Sequence, residues 1–228
     1  MEYQFDLSWL PEQWPMIQQG IGVTLYISFI TTVLGILLGS ICAVLRTAGP
    51  RVIRSAVAIY VEVIRNTPLL IQAYFVIFGC ASAGFPLPIY VGAILVLTVN
   101  IGAYTTEIVR AGIEAINRGQ HEAATCLALN TPQIYIYIII PQALAKVYPA
   151  LTSQYVLLLL SSSLLSSVGV DEIFSAADRI QSITYRNFEV MIVIGIIYLM
   201  LSMAFRLIFQ SIYTFMFGKA GLSIEESR

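Results

Sequence analysis

The stretch EVIRNTPLL, residues 62–70, sets an acid, a base, an amide and a hydroxyl side by side as Glu62, Arg65, Asn66 and Thr67, and then adds Pro68. On a helix Glu62 and Arg65, three residues apart, occupy neighbouring parts of one face. Proline suits the first turn of a new helix, with Thr67 as its N-cap, so the stretch predicts one helix broken into two halves. A helix start in apolar surroundings exposes N–H groups and partial positive charge that suit a carboxylate. A carboxylate nearby can receive an ammonium. The chemistry is therefore recognition of a solute carrying both signs of charge, such as an amino acid zwitterion. Glu62 would take the ammonium, and the Asn66 and Thr67 region the carboxylate. A structural Glu62–Arg65 ion pair steadying a kinked helix accounts for the same residues, and both readings stay open.

Other polar groups could complete such a site. Asn100 and Tyr104, four apart, share a helix face, while Glu107 and Arg110 repeat the acid and base spacing and read as a structural pair or gate element. Ser161, Ser162, Ser163, Ser166 and Ser167 are small enough for close helix packing, with Ser163 and Ser166 as possible substrate contacts. Asp171 could cap a following short helix or supply a second acid. His121, the single histidine, has no nucleophile or metal ligands around it. Cys42, Cys80 and Cys126 lack ligand spacing and read as buried thiols, so no metal site is expected. A nucleophile and base set for an intramembrane enzyme is missing, and so is a Gly-rich P-loop. Energy for uphill transport would have to come from a partner or an ion.

The elements that position these groups must be membrane spans. Of 228 residues, 58% are hydrophobic and 11% charged, with a net charge of −1, which suits an integral membrane protein and gives no footprint for nucleic acid. Mean hydropathy is +0.82. Residues 21–45, 66–106, 147–170 and 190–205 contain no Asp, Glu, Lys or Arg. A span needs about 20 apolar residues to cross ~30 Å of hydrocarbon, so the longest run holds more than one.

The first span, about Gly20 to Leu45, follows an external segment (1–19) bearing Glu2, Asp6 and Glu12 and precedes Arg46, Arg51 and Arg54. The positive-inside rule then puts the N-terminus outside, with Trp9 and Trp14 at the outer interface. Without a basic n-region the N-terminus is expected to remain in the mature protein. A second span runs from about Ile53 to Gly79 and a third from about Ile89 through Glu107 to Arg110. A fourth covers about Tyr148 to Val168, and a fifth, about Val190 to Tyr213, leaves Lys219 and Arg228 inside. Counted from Arg54, Glu62 lies about 12 Å along a helix, close to the ~15 Å half-thickness of the hydrocarbon. A charge there costs about 2.5–3.5 kcal/mol and should face the bundle interior. Residues 123–145 are also free of charge, but Pro132 and Pro141 leave a helical piece of only about 13 Å between them, which argues against a sixth span.

After the third span the chain reads GQHEAATCLALNTPQIYIYIIIPQAL. Here it resembles the permease subunits of binding-protein-dependent ABC importers, in the polar amino acid branch. Their cytoplasmic motif is Glu-Ala-Ala, three residues, Gly, nine residues, Ile, one residue, Leu-Pro. Glu122, Ala123, Ala124, Ile138 and Pro141 match it, while Ala128 stands at the glycine position and Ile140 at the leucine. Alanine tolerates positive φ poorly, so an altered turn is expected at Ala128. The basic residues expected between the two prolines are absent. VEVIRNTPLLIQ, NIGAYTTEIVRAGIEAI, SSSLLSSVGVDEIF and ITYRNFEV resemble the same branch, in order along the chain.

The resemblance implies an all-α membrane protein of about five transmembrane helices, one permease domain over residues 1–228 with a cytoplasmic coupling segment at 117–141, of the type I ABC importer kind. It implies an inner-membrane, multi-pass subunit importing polar amino acids. Its partners would be two ATPase subunits, which carry the ATP and Mg, a second permease subunit, identical or related, and an external solute-binding protein. Gly119, Glu122, Ala123, Ala124, Ala128 and Pro141 would form the ATPase-coupling surface, in which small alanines allow close approach and Glu122 offers a charge. From the residues alone, an amphipathic helix covering the span ends against lipid fits the same segment. An ion-coupled secondary carrier, with Glu62 and Glu107 carrying protons, is the competing functional class.

Overall fold

A computed structural model describes residues 4–225, with the backbone alone from 218 onward. Glu2, the Lys219 side chain and Arg228, on which part of the expected orientation rests, lie outside the described residues. The first helix, α1 (Leu10–Ala48), is followed by a bent pair, α2 (Arg51–Arg65) and α3 (Leu69–Ser82). Next come α4 (Ile89–Glu114), the short α5 (Arg118–Cys126) and the long α6 (Thr131–Val168). A second short helix, α7 (Ile173–Thr184), leads to α8 (Asn187–Glu225). Among the described residues four helices, α1, α4, α6 and α8, are long and apolar enough to cross a membrane, and the α2–α3 pair makes up to a fifth.

The α1–α4 contact is the centre of the bundle, and small residues permit it. A Cβ on Gly35 would lie 2.4 Å from the Ile101 side chain, and one on Gly39 2.4 Å from that of Thr105. Glycine at these points lets two helices touch at backbone distance, which is how helices associate where solvent gives no hydrophobic drive. Tyr155 of α6 is fully buried in this core, its hydroxyl 2.8 Å from that of Thr105, and its ring stacks on Phe209 of α8. At the opposite end Gly20 of α1 meets the backbone of α7 at Ile173. Trp9, placed at the outer interface by its sequence context, is packed inside with only 6% of its surface exposed, whereas Trp14 is 39% exposed.

The predicted break at Pro68 is present, and α2 and α3 are bent by 107°. Its construction differs from expectation. Thr67 does not cap α3; Pro68 itself is the N-cap residue, with extended ψ of 136°. The Thr67 hydroxyl donates back to the Val63 carbonyl at 2.9 Å and accepts from the Gln72 side-chain amide at 2.7 Å. That amide also donates to the Ile64 carbonyl at 2.8 Å, satisfying an acceptor orphaned where α2 ends. With the two halves so nearly perpendicular, α2 and α3 do not form one straight span.

Proline fails to break α6. Pro132 lies in the first turn, where its missing N–H has no intrahelical partner anyway. Before Pro141 the helix widens into a π-turn, Tyr135–Ile139, and continues. Widening shifts the carbonyl that the pyrrolidine ring would otherwise strike. The helix that carries the fourth span therefore begins at Thr131 and continues through both prolines, so the separate inter-proline piece does not exist. It tightens to 3₁₀ over Ser162–Val168 and stops at Gly169, whose φ is +92°.

Candidate binding cavity and coupling segment

Three side-chain tethers bring the α2–α3 break against the middle of α4. The Tyr60 hydroxyl donates to the Val99 carbonyl at 2.7 Å. Gln72, whose amide nitrogen holds the break, accepts from the Asn100 amide at 3.0 Å. The guanidinium of Arg65 lies over the Tyr104 ring, 5.3 Å from its centroid. Asn100 is about 16 Å of helical rise from the start of α4 at Ile89, near the middle of a ~30 Å hydrocarbon layer.

Between these elements and α6 lies a cavity of about 510 Å³, within the ordinary range for small-molecule sites. Its wall is formed by Arg65, Asn66, Thr67 and Pro68 at the break, Asn100 and Tyr104 on α4, and Gln154 and Ser161 on α6, with leucines completing it. Of the sequence-predicted substrate residues, Asn66, Thr67, Asn100 and Tyr104 are thus brought together.

The other four are not part of this wall. Glu62 is exposed on the last turn of α2 and accepts from the Asn66 amide at 2.9 Å, so it touches the cavity through that residue only. Among the described residues no Glu62–Arg65 ion pair forms. The Ser163 and Ser166 hydroxyls each donate to a carbonyl three residues back, at 2.8 Å. Asp171 pairs with Arg179, and the cap of α7 is Glu172 instead, its carboxylate accepting from the Ser175 N–H at 2.8 Å.

Gln154 and Ser161 were not singled out as ligands from sequence. Their signal was available, since a glutamine and a serine seven residues apart on an apolar helix mark one polar face. The same holds for Gln72, a lone amide one turn beyond Pro68.

At the other end of α4, Glu107 is bridged by Arg110 on its own helix and by Arg46 of α1 at 2.6 Å. This matches the expected structural pair and extends it to a second helix. The chain then turns into α5, capped by the Asn117 side chain, which accepts from the Gly119 N–H at 2.9 Å. Gly119, Glu122 and Ala123 are exposed, but Ala124 is only 1% exposed and packs inward, so one alanine of the pair faces outward. Pro141 is exposed on α6.

Ala128 adopts φ +56°, in the left-handed region. Alanine is held there in the conformation a glycine would take freely. A Schellman pair closes α5, with the Ala128 N–H on the Thr125 carbonyl at 3.0 Å and the Leu129 N–H on that of Ala124 at 3.3 Å. Asn130 and Gln133 then start α6 with reciprocal side-chain to backbone bonds, a capping box.

Residues 35–216 match the family described as "Binding-protein-dependent transport system inner membrane component". The nopaline transport system permease protein of Agrobacterium fabrum is 33% identical over 208 residues, 86% of either chain. A probable glutamine ABC transporter permease protein of Bacillus subtilis is 36% identical over 169 residues, 74% of this chain and 78% of that one. Among solved structures, a chain of an amino acid ABC transporter with histidines superposes with a TM-score of 0.83 at 33% identity, covering 92% of this chain and 99% of the other. A chain of a methionine ABC transporter shares the fold, with a TM-score of 0.74 at 21% identity over 90% of this chain and 98% of that one. With a match over most of its length and a cavity lodged between its central helices, this chain belongs to the inner-membrane permease family of binding-protein-dependent ABC transport systems.

Proposed function

We propose that this chain is the transmembrane half-pathway of an ATP-driven importer of polar amino acids, acting as one permease domain over residues 1–228. The observation that carries it is the cavity joining the α2–α3 break to Asn100 and Tyr104 at mid-helix, lined by polar groups in an otherwise apolar bundle. Permease relatives named for nopaline, arginine and glutamine transport support the substrate class. In this reading Asn66, Thr67, Asn100 and Tyr104 contact the amino acid, and Glu62, bonded to Asn66, draws its ammonium to the rim. Ser163, Ser166 and Asp171 shape the helix ends around the site without touching the solute.

The chain performs no covalent chemistry. ATP and Mg bind separate ATPase subunits, two per transporter, which dock on the exposed face of α5 at Gly119, Glu122 and Ala123 beside Ala128 and Pro141. A second permease, identical or related, completes the pathway, an external binding protein delivers the solute, and lipid covers the remaining apolar face. Arg46, Glu107, Arg110 and α5 lie at one end of the bundle, taken as cytoplasmic; the N-terminus lies outside and the C-terminus inside.

The test is uptake by the transporter purified with its partners and reconstituted in vesicles. Import should require ATP and the binding protein and ignore an imposed ion gradient; gradient-driven uptake without an ATPase would sink this reading. Glu62→Gln should lower uptake with assembly intact, and unchanged uptake would remove Glu62 from the site.

A further inference from the structure

Arg65 is the single cation among the cavity-lining side chains, and no carboxylate lines that cavity. Its guanidinium rests on the Tyr104 ring and makes no hydrogen bond or ion pair among the described residues. Glu107, the acid one turn further along α4, is already occupied by Arg46 and Arg110. Arg65 feels the charge of Glu107 but makes no direct bond to it, so the donors of its guanidinium stay open to the cavity. A planar guanidinium already steadied by an aromatic ring presents its fork for a bidentate carboxylate at little further cost in entropy.

The rest of the wall decides which amino acid fits. Glu62, one turn before Asn66, is the acid that adjoins the cavity. One cation and one adjoining acid balance the two charges of a zwitterion. A cationic side chain would need a second acid and an anionic one a second base, and the lining contains neither. What remains is neutral. Asn100 spends one amide hydrogen on Gln72 and keeps its oxygen as an acceptor, and Gln154 and Ser161 make no side-chain hydrogen bond among the described residues. Together they offer donors and acceptors to a group that has both, as a carboxamide does.

We propose that Arg65 holds the α-carboxylate and that this cavity selects amino acids with an uncharged, hydrogen-bonding side chain, carboxamides foremost, over cationic ones. This rests on the amino acid import reading above.

The test is equilibrium dialysis of radiolabelled L-glutamine and L-arginine against the assembled permease–ATPase complex without its binding protein, so that only the membrane site selects. Glutamine should bind and be displaced by asparagine but not by arginine. Glutaminamide, which lacks the α-carboxylate, should fail to compete. Arg65→Gln should weaken glutamine binding by about tenfold to a hundredfold, the range of one charge-assisted hydrogen bond, and Arg65→Lys should restore part of it. Were Arg65 only a brace for Tyr104, Arg65→Gln would lower the melting temperature and leave glutamine affinity in place, which overturns the proposal. Arginine binding as tightly as glutamine overturns it too, as does a complex that imports glutamine yet shows no binding. Import of arginine alone by the complete system sinks this selectivity and leaves the import reading standing; import of no amino acid sinks both.

Discussion

The guanidinium of Arg46, at the end of α1, sits 2.6 Å from the carboxylate of Glu107, near the end of α4. Glu107 also accepts from Arg110, which reaches on to Glu114 at 2.5 Å. One acid therefore ties the two central helices together at the end where α5 begins. Glu107→Gln leaves Arg46 without its carboxylate partner and Arg110 with Glu114 alone. The side chains are about a quarter exposed, so water recovers part of the loss. The expected cost is about 1–2 kcal/mol, read as a lower thermal midpoint in detergent. Arg46→Gln should cost less, since Arg110 still holds the acid.

At Ala128 the backbone is left-handed in a residue that has a Cβ. Ala128→Gly should relieve that strain, offset in part by the greater freedom of glycine in the unfolded chain, for a net gain of about 0.5–1 kcal/mol. Ala128→Val should lose stability at the same turn. Paired melting curves decide the matter, and a glycine variant no more stable than the parent would contradict the strain.

Two glycines of α1 should respond with opposite sign. Gly39→Ala forces a Cβ to within 2.4 Å of Thr105 and separates α1 from α4, at about 1–3 kcal/mol. Gly22 has nothing within 4 Å of its would-be Cβ. Gly22→Ala should be neutral or stabilising by up to about 1 kcal/mol, from helix propensity alone. Equal midpoints for the two variants would rule out close α1–α4 packing.

Glu172 is fully buried at the start of α7, where it accepts from Tyr198 at 2.6 Å and from the Ser175 N–H. Burial pushes its carboxyl up from the ordinary value of 4.5, against the lowering effect of these bonds, and Asp178 nearby adds to the rise. An acid raised on folding holds its proton more tightly in the folded chain. Its contribution favours folding while the proton is bound, and that advantage fades as pH rises from 4.5 through the raised folded value. Glu172→Gln should flatten this part of the stability profile, measured as melting temperature from acid to neutral pH. A variant that keeps the parent's slope would assign the effect to another group.

Much of the fold was legible because its signals are local. Charge-free runs mark α1, α4, the second half of α6 and α8, and Pro68 marks the break, since hydrocarbon and the missing proline N–H act on each segment alone. Pro132 and Pro141 misled for the complementary reason. Whether a proline breaks a helix depends on the turn around it, and the π-turn at Tyr135–Ile139 is invisible to hydropathy. The site was half legible. Asn66, Thr67, Asn100 and Tyr104 were found by their polarity in apolar stretches, and Gln154 and Ser161 were passed over though they carried the same sign.

By itself, the order of residues determined that the chain crosses a membrane, where one of its helices must break, and which family's motifs it carries. Only the tertiary structure decided which polar groups share a cavity. A 107° bend and the Gln72–Asn100 bond bring residues of α2, α3, α4 and α6 to one wall and leave Glu62 beside it, bonded to Asn66, and such a meeting depends on distances between segments that no local pattern records.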